Sequence, residues 1–314
     1  MKKLLPIILL FIIFSCDNEP QIEDVFSIEK IDIEAGSEIK DMLLVNDNII
    51  YLTGGKKSEE GFIFRSQNGG KSWVNVLHTD NLSVNSIYFR EKCKYWAAGD
   101  SIVIWRSEDG LNWQKNIKAP CYWNNCRNPY HDIQVWKESK VFAVGGEFFQ
   151  RGITSFSNTG LSYWIQLYWG NQLNDFIIDA GKTIIAGYGI VLQTDTISFE
   201  DFDDMDIYGE NFIKLSKNPE GDLFLLSQKG KIFEYINEKW EKTDNLKGNY
   251  RDFCFSGNTG LALGDNGVLA LSEDNGKTWE KYNFINNKNL SCIESTNDGF
   301  LIGCRDGSLY RIEF

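Results

Sequence analysis

The sequence predicts an all-β fold: a single β-propeller of seven four-stranded antiparallel blades, with six blades as the alternative count. Three observations lead there. A turn motif returns about every forty residues, short β-rich runs follow one another at about ten-residue spacing between turn signals, and no sustained helical periodicity occurs. The chain has 314 residues, 42% hydrophobic and 14% aromatic, which excludes a disordered polymer. Its net charge of −12 argues against a nucleic-acid partner, because an acidic surface repels phosphates. With only His78 and His131, any metal site would depend on Cys or carboxylates, and neither a metal nor another cofactor is expected.

The N-terminus comes first. Lys2 and Lys3 precede an apolar run over residues 4–14, too short to cross a bilayer but suited to export. Ser15-Cys16 and a polar stretch follow. The segment resembles a bacterial lipoprotein signal peptide. That resemblance implies cleavage after residue 15, acylation of Cys16 (palmitate among the chains) and anchoring to the cell envelope, on the periplasmic or surface face of the outer membrane. Residues 16–25 read as an acidic, solvated tether, and 26–314 as the propeller.

Residues 26–33 alternate in polarity. The last unit, 290–314, has room for only three strands, so this early strand would complete it and remove two open sheet edges. Seven lead strands are expected, beginning near residues 41, 86, 132, 175, 211, 252 and 291. An apolar, small-residue run follows each.

The turn motif is clearest at residues 66–73 and 272–279. In the second, Ser272, Asp274, Gly276, Thr278 and Trp279 are all present; in the first, Ser66, Asn68, Gly70 and Trp73. Ser107, Asp109, Gly110 and Trp113 form a shortened copy, and residues 157–164 a degenerate one ending at Trp164. Asp or Asn accepts backbone N–H bonds in a tight turn, Gly supplies positive φ, and Trp buries a large ring. This chemistry makes a hairpin clasp and leaves no group for catalysis.

The clasps resemble the Asp-box, or BNR repeat. Together with the D-Φ-x-Φ lead strands they resemble the photosystem II assembly/stability factor propellers, which implies seven blades and non-catalytic protein binding. More distantly they resemble sialidases, which implies as the alternative a glycoside hydrolase acting on cell-surface glycans. That family's Arg triad has no assignable counterpart among the eight arginines here. The function expected is therefore a membrane-anchored, monomeric binding or assembly module for an envelope protein or glycan.

Lead-strand starts should ring one mouth of the channel: Lys40, Asn85, His131, Asn174, Glu210 and Arg251, beside Asp41, Asp132, Asp175 and Asp252. The repeated Asp residues are expected to tie down the loop arriving from the previous blade. The non-repeating His131, Glu210 and Arg251 are the ligand candidates. A second candidate surface is the loop over 119–130, with Tyr122, Trp123 and Arg127, closed by a Cys121–Cys126 disulfide if one forms. Cys292 and Cys304 flank a turn and are the other candidate pair. The acidic run 200–206 reads as a solvated hairpin and lacks the pattern of a calcium loop.

Overall fold

In the computed structural model, the residues described are 19–314 except 92–93, 117–127, 138–139, 161–163, 180 and 196–200. They form seven four-stranded antiparallel sheets. The innermost strands are Ile39–Leu44, Val84–Arg90, Tyr130–Trp136, Leu173–Asp179, Phe212–Lys217, Tyr250–Ser256 and Leu290–Thr296. Each lies against the innermost strands of both neighbouring blades, so the seven close a ring.

Seven apolar clusters hold the blades together, one at each blade–blade interface. The second strands feed two clusters at once. Tyr51 packs toward the second blade while its neighbour Leu52 packs toward the seventh. A strand covered on both faces needs apolar side chains at every position, which explains the unbroken apolar runs in the sequence. Several of these strands end in glycine because the incoming chain crosses there. A Cβ on Gly145 would lie 2.0 Å from the Pro129 carbonyl oxygen, and one on Gly264 2.0 Å from that of Asn249.

The seventh sheet is completed by Ser27–Ile31, which pairs with Leu309–Glu313 in the register Ser27–Glu313 to Ile31–Leu309. The ring is thus closed by both ends of the chain. The tether expected over residues 16–25 is shorter than the sequence suggested. Ile22 is fully buried, Gln21 bridges to Asn283, and Glu19 pairs with Lys281, so the chain is already laid on the sixth blade from residue 19.

The clasps join third and fourth strands at the face opposite the mouth. Ser66, Ser107 and Ser272 each accept the amide of the clasp glycine, Gly70, Gly110 and Gly276, at 2.8–2.9 Å. Asp274 accepts the Thr278 amide at 2.9 Å and its hydroxyl at 2.6 Å; Asn68 and Asp109 likewise accept the backbone amides of Ser72 and Asn112. Trp73, Trp113, Trp164 and Trp279 all pack into the cluster shared with the preceding blade.

A chain truncated to begin at Gly36 should test the closure. Loss of Ile22, Phe26 and Ile31 removes about 1.5–3 kcal/mol of burial per side chain and uncovers the edge of Leu309–Glu313. The expected outcome is a midpoint lower by about 10 °C or more and self-association by size-exclusion chromatography. An unchanged monomer with an unchanged midpoint would contradict the closure argument.

Candidate binding site at the channel mouth

Every innermost strand carries a β-bulge at its start, between residue pairs such as Ile39/Asp41, Tyr130/Asp132 and Tyr250/Asp252. A bulge inserts one extra residue and re-aims its side chain. Lys40, Asn85, His131, Asn174, Ile213, Arg251 and Ser291 occupy that position and line one cavity of about 560 Å³. These seven residues have little in common, whereas the residues after them are mostly acids.

The fifth blade corrects the sequence alignment. Its bulge residue is Ile213, three positions beyond Glu210, and Lys214 stands where four of the other blades carry Asp. Glu210 lies outside the ring, bonded to Lys231 beside a neighbouring cavity. The other two ligand candidates do line the mouth, and both have protein partners. Arg251 forks onto Asp265 at 2.7 and 2.9 Å. His131 Nε2 lies 2.8 Å from the Gly146 carbonyl, so this nitrogen donates and Nδ1 keeps its lone pair. Burial pushes His131 below its ordinary pKa and favours the neutral ring. A relay of amides runs along one side of the mouth: Gln172 donates to Asn174, Asn174 to Asn211, and Asn211 to Gln228.

The lead-strand acids do not tie down incoming loops. Asp41, Asp175 and Asp252 accept the amides of Ile87, Leu215 and Ile293 at 2.8, 2.7 and 3.0 Å, each in the next blade's innermost strand. Asp132 instead accepts the Ser86 hydroxyl from the blade before it. These acids, with Glu294, face Lys214, whose ammonium lies 3.4 Å from Asp175 and 3.9 Å from Asp252. Burial pushes Asp41 and Asp175 up to about 7 and Glu294 up to about 8, with Lys214 opposing the rise. Burial alone would lower Lys214, yet the surrounding carboxylates hold it well above its ordinary value. Cys254 and Cys292 lie near the same acids and are free thiols, as is Cys304. The pairing considered for Cys292 and Cys304 is not made: a two-residue turn, with Thr296 opposite Gly299, sets Cys292 opposite Gly303, and Cys304 pairs with Leu290 beyond the bulge.

One hairpin of the third blade rises at the rim. Phe148 and Phe149 turn with φ of 58° and 61°, a region bulky residues avoid, and are 69% and 54% exposed. Gln172 pins the turn from both sides: its side-chain oxygen accepts the Phe149 amide, and its own amide donates to the Phe149 carbonyl. Phe149 lies 4.7 Å from the ring of Tyr188, and Lys57 and Arg151 approach the Phe148 ring. In the sequence Phe148-Phe149 reads as an extension of the aromatic patch around the 119–130 loop; the structure places the pair at the rim of the mouth cavity, at a hairpin turn where Asn-Gly is usual.

Neither a family model nor a curated sequence matches the chain. Solved structures do. One titled "YCF48 bound to D1 peptide" matches at TM-score 0.71 and 16% identity, over 91% of this chain and 97% of that one. The WD40 β-propeller domain of Doa1 matches at 0.70 and 10%, over 92% and 96%. Virginiamycin B lyase from Staphylococcus aureus matches at 0.74 and 10%, over 92% and 99%. The chain is a seven-bladed β-propeller. Likeness at such identities shows the fold, and the fold hosts both binding and catalysis, so function must be argued from the mouth.

Tyr122, Trp123, Arg127, Cys121, Cys126 and Cys16 lie outside the described residues. The acidic run includes Phe202–Asp204, an outer strand of the fourth blade with both aspartates exposed.

The inner acids set the pH response. Asp41, Asp175 and Glu294 hold protons in the folded state that ordinary carboxyls of the unfolded chain release, so stability should rise as pH falls from 8 to 5. His131 opposes this below about pH 6.5, because the unfolded imidazole takes up a proton more readily. Thermal melts should show a midpoint several degrees higher at pH 5 than at pH 8. Lys214→Met should lower the midpoint at pH 8 and steepen the gain on acidification. A flat response in both proteins would refute the charged layer.

Proposed function

We propose that the protein is an exported, lipid-anchored module of the bacterial cell envelope, which holds a segment of a partner protein at the mouth of its propeller and does no covalent chemistry on it. The observation that carries this reading is the division of labour along the innermost strands. Positions that recur join blade to blade, while the seven bulge positions carry six different residue types and open onto a cavity of ligand size. The peptide-bound neighbour of the same fold supports it. So do the exposed Phe148 and Phe149, since strained, solvent-facing aromatics beside a cavity suit a protein surface.

Glycan hydrolysis has weaker support. Arg251 and Arg305 both address Asp265, and Arg311 binds the Gly69 carbonyl, so these arginines do not converge on one free carboxylate site. The clasps fit the Asp-box pattern as turn locks. Acylation of Cys16 would place the membrane within about 10 Å of residue 19, since two intervening residues span no more than that. The flank of the sixth blade would then lie beside the bilayer.

Two measurements test this. Cys16→Ala should move the protein from the membrane fraction to the soluble fraction; continued pelleting would remove the anchor from the reading. A photo-crosslinking residue at Phe149 should label a discrete envelope protein in cells, whereas the same residue at Leu111, exposed in a clasp, should not. Equal labelling from both faces would reject the mouth.

A further inference from the structure

Charged residues around the mouth are nearly all matched. Lys57 pairs with Glu147 at 2.6 Å, Arg251 with Asp265 at 2.7 Å, and Glu38 with Arg305 at 3.5 Å. Asp100 accepts the amide and hydroxyl of Ser83. Lys40 differs. Its ammonium donates to the neutral Ser83 Oγ and Asn85 Oδ1, both at 2.9 Å, and among the described residues it has no carboxylate at ion-pair distance. An ammonium carries three N–H donors, so one remains for a ligand. Burial pushes the Lys40 pKa down, the mark of a charge that its surroundings leave undercompensated.

Two further features extend the site. The lone pair on His131 Nδ1 can accept a peptide N–H. A second cavity of about 350 Å³, walled by Phe149, Tyr188 and Lys229, shares Phe149, Asn211 and Gln228 with the mouth cavity. The two therefore adjoin, one polar and cationic at Lys40, the other faced by aromatic rings.

We propose that the mouth recognises a peptide carboxylate, held on the Lys40 ammonium, with a neighbouring apolar side chain laid between Phe149 and Tyr188. The proposal rests on the reading of the mouth as a protein-binding site and names the chemistry of its partner. A run of acids is disfavoured by the protein's net charge of −12, so the fitting segment carries one carboxylate among apolar or neutral residues. A sugar fits less well, because the amides that would meet its hydroxyls are engaged with one another.

The test uses the detergent-solubilised full chain and three randomised, N-acetylated hexapeptide pools: free C-terminal acids without Asp or Glu, the same pool amidated, and an amidated pool with one internal Asp. A charge-assisted bond of about 1.5–3 kcal/mol predicts that one carboxylate pool is retained roughly tenfold or more over the uncharged pool. Which pool is retained tells a chain end from a side chain. Lys40→Met should equalise the pools while Lys40→Arg keeps the preference, and Phe149→Ala should erase selection for an apolar neighbour. Equal retention of all three pools would overturn the carboxylate and leave peptide binding at the mouth standing. Retention of none would overturn both, and specific binding of 3′-sialyllactose in their place would assign the site to an acidic glycan.

Discussion

The structure depends on how the innermost strands are joined across blades. A propeller's sheets share no continuous hydrogen-bond ladder, so the apolar clusters between them set distance but not height or rotation. A carboxylate reaching from one innermost strand to the amide of the next supplies that direction. Asp41 and Asp252 each spend one oxygen on the following amide of their own strand and the other on the neighbouring blade. One side chain thus satisfies an amide of its own strand and fixes the next blade's register. The arrangement concentrates negative charge around a narrow channel, and Lys214 is what makes it tolerable. Removing one charge of such a group costs more than the pair contributes, because the remainder stays buried and uncompensated.

Much of this fold was legible in the sequence, for a physical reason. Clasps and apolar second strands are local devices whose chemistry repeats with the blade, so residues 66–73 and 272–279 announced the period. The closing strand was legible from edge accounting: three strands at the end and an orphan alternating segment at the start. The bulge was not legible, because an extra residue in a strand leaves no compositional trace. Without it, Glu210-Asn211 looks like a lead-strand start, and the alignment of the fifth blade slips by three. Cys292 and Cys304 fall opposite each other only if their hairpin turns in three residues, and it turns in two, between Thr296 and Gly299. Burial of Ile22 was hidden for another reason: a lone apolar residue among acids reads as a tether unless its docking groove is known.

The strained hairpin at Phe148 and Phe149 shows how fold and binding divide their demands. A bulky residue with positive φ costs about 1–3 kcal/mol, and Gly or Asn would avoid it. The turn persists because Gln172 clamps it on both sides and belongs to the amide relay across the mouth. The rim and the cavity floor are therefore one mechanical unit. Anything that displaces the Gln172 amide loosens the aromatic rim, and anything seated on Phe149 bears on the relay.

The two faces of the ring follow opposite logic. At the clasp face the same serine, acid, glycine and tryptophan recur because each turn solves the same problem, and a glycine there packs on the preceding blade: a Cβ on Gly110 would strike the Tyr51 hydroxyl, and one on Gly276 the ring of Phe224. At the mouth the bulge decouples side chain from sheet. The extra residue contributes nothing to the ladder, so its identity is free to vary while the residue after it secures the neighbouring blade. That separation lets side chains of six types be gathered around one axis without disturbing the ring that holds them. It also explains why the unmatched charge is found there: Lys40 stands on a bulge, next to an Asp already engaged with the second blade, where an ammonium can be held ready without loosening a strand.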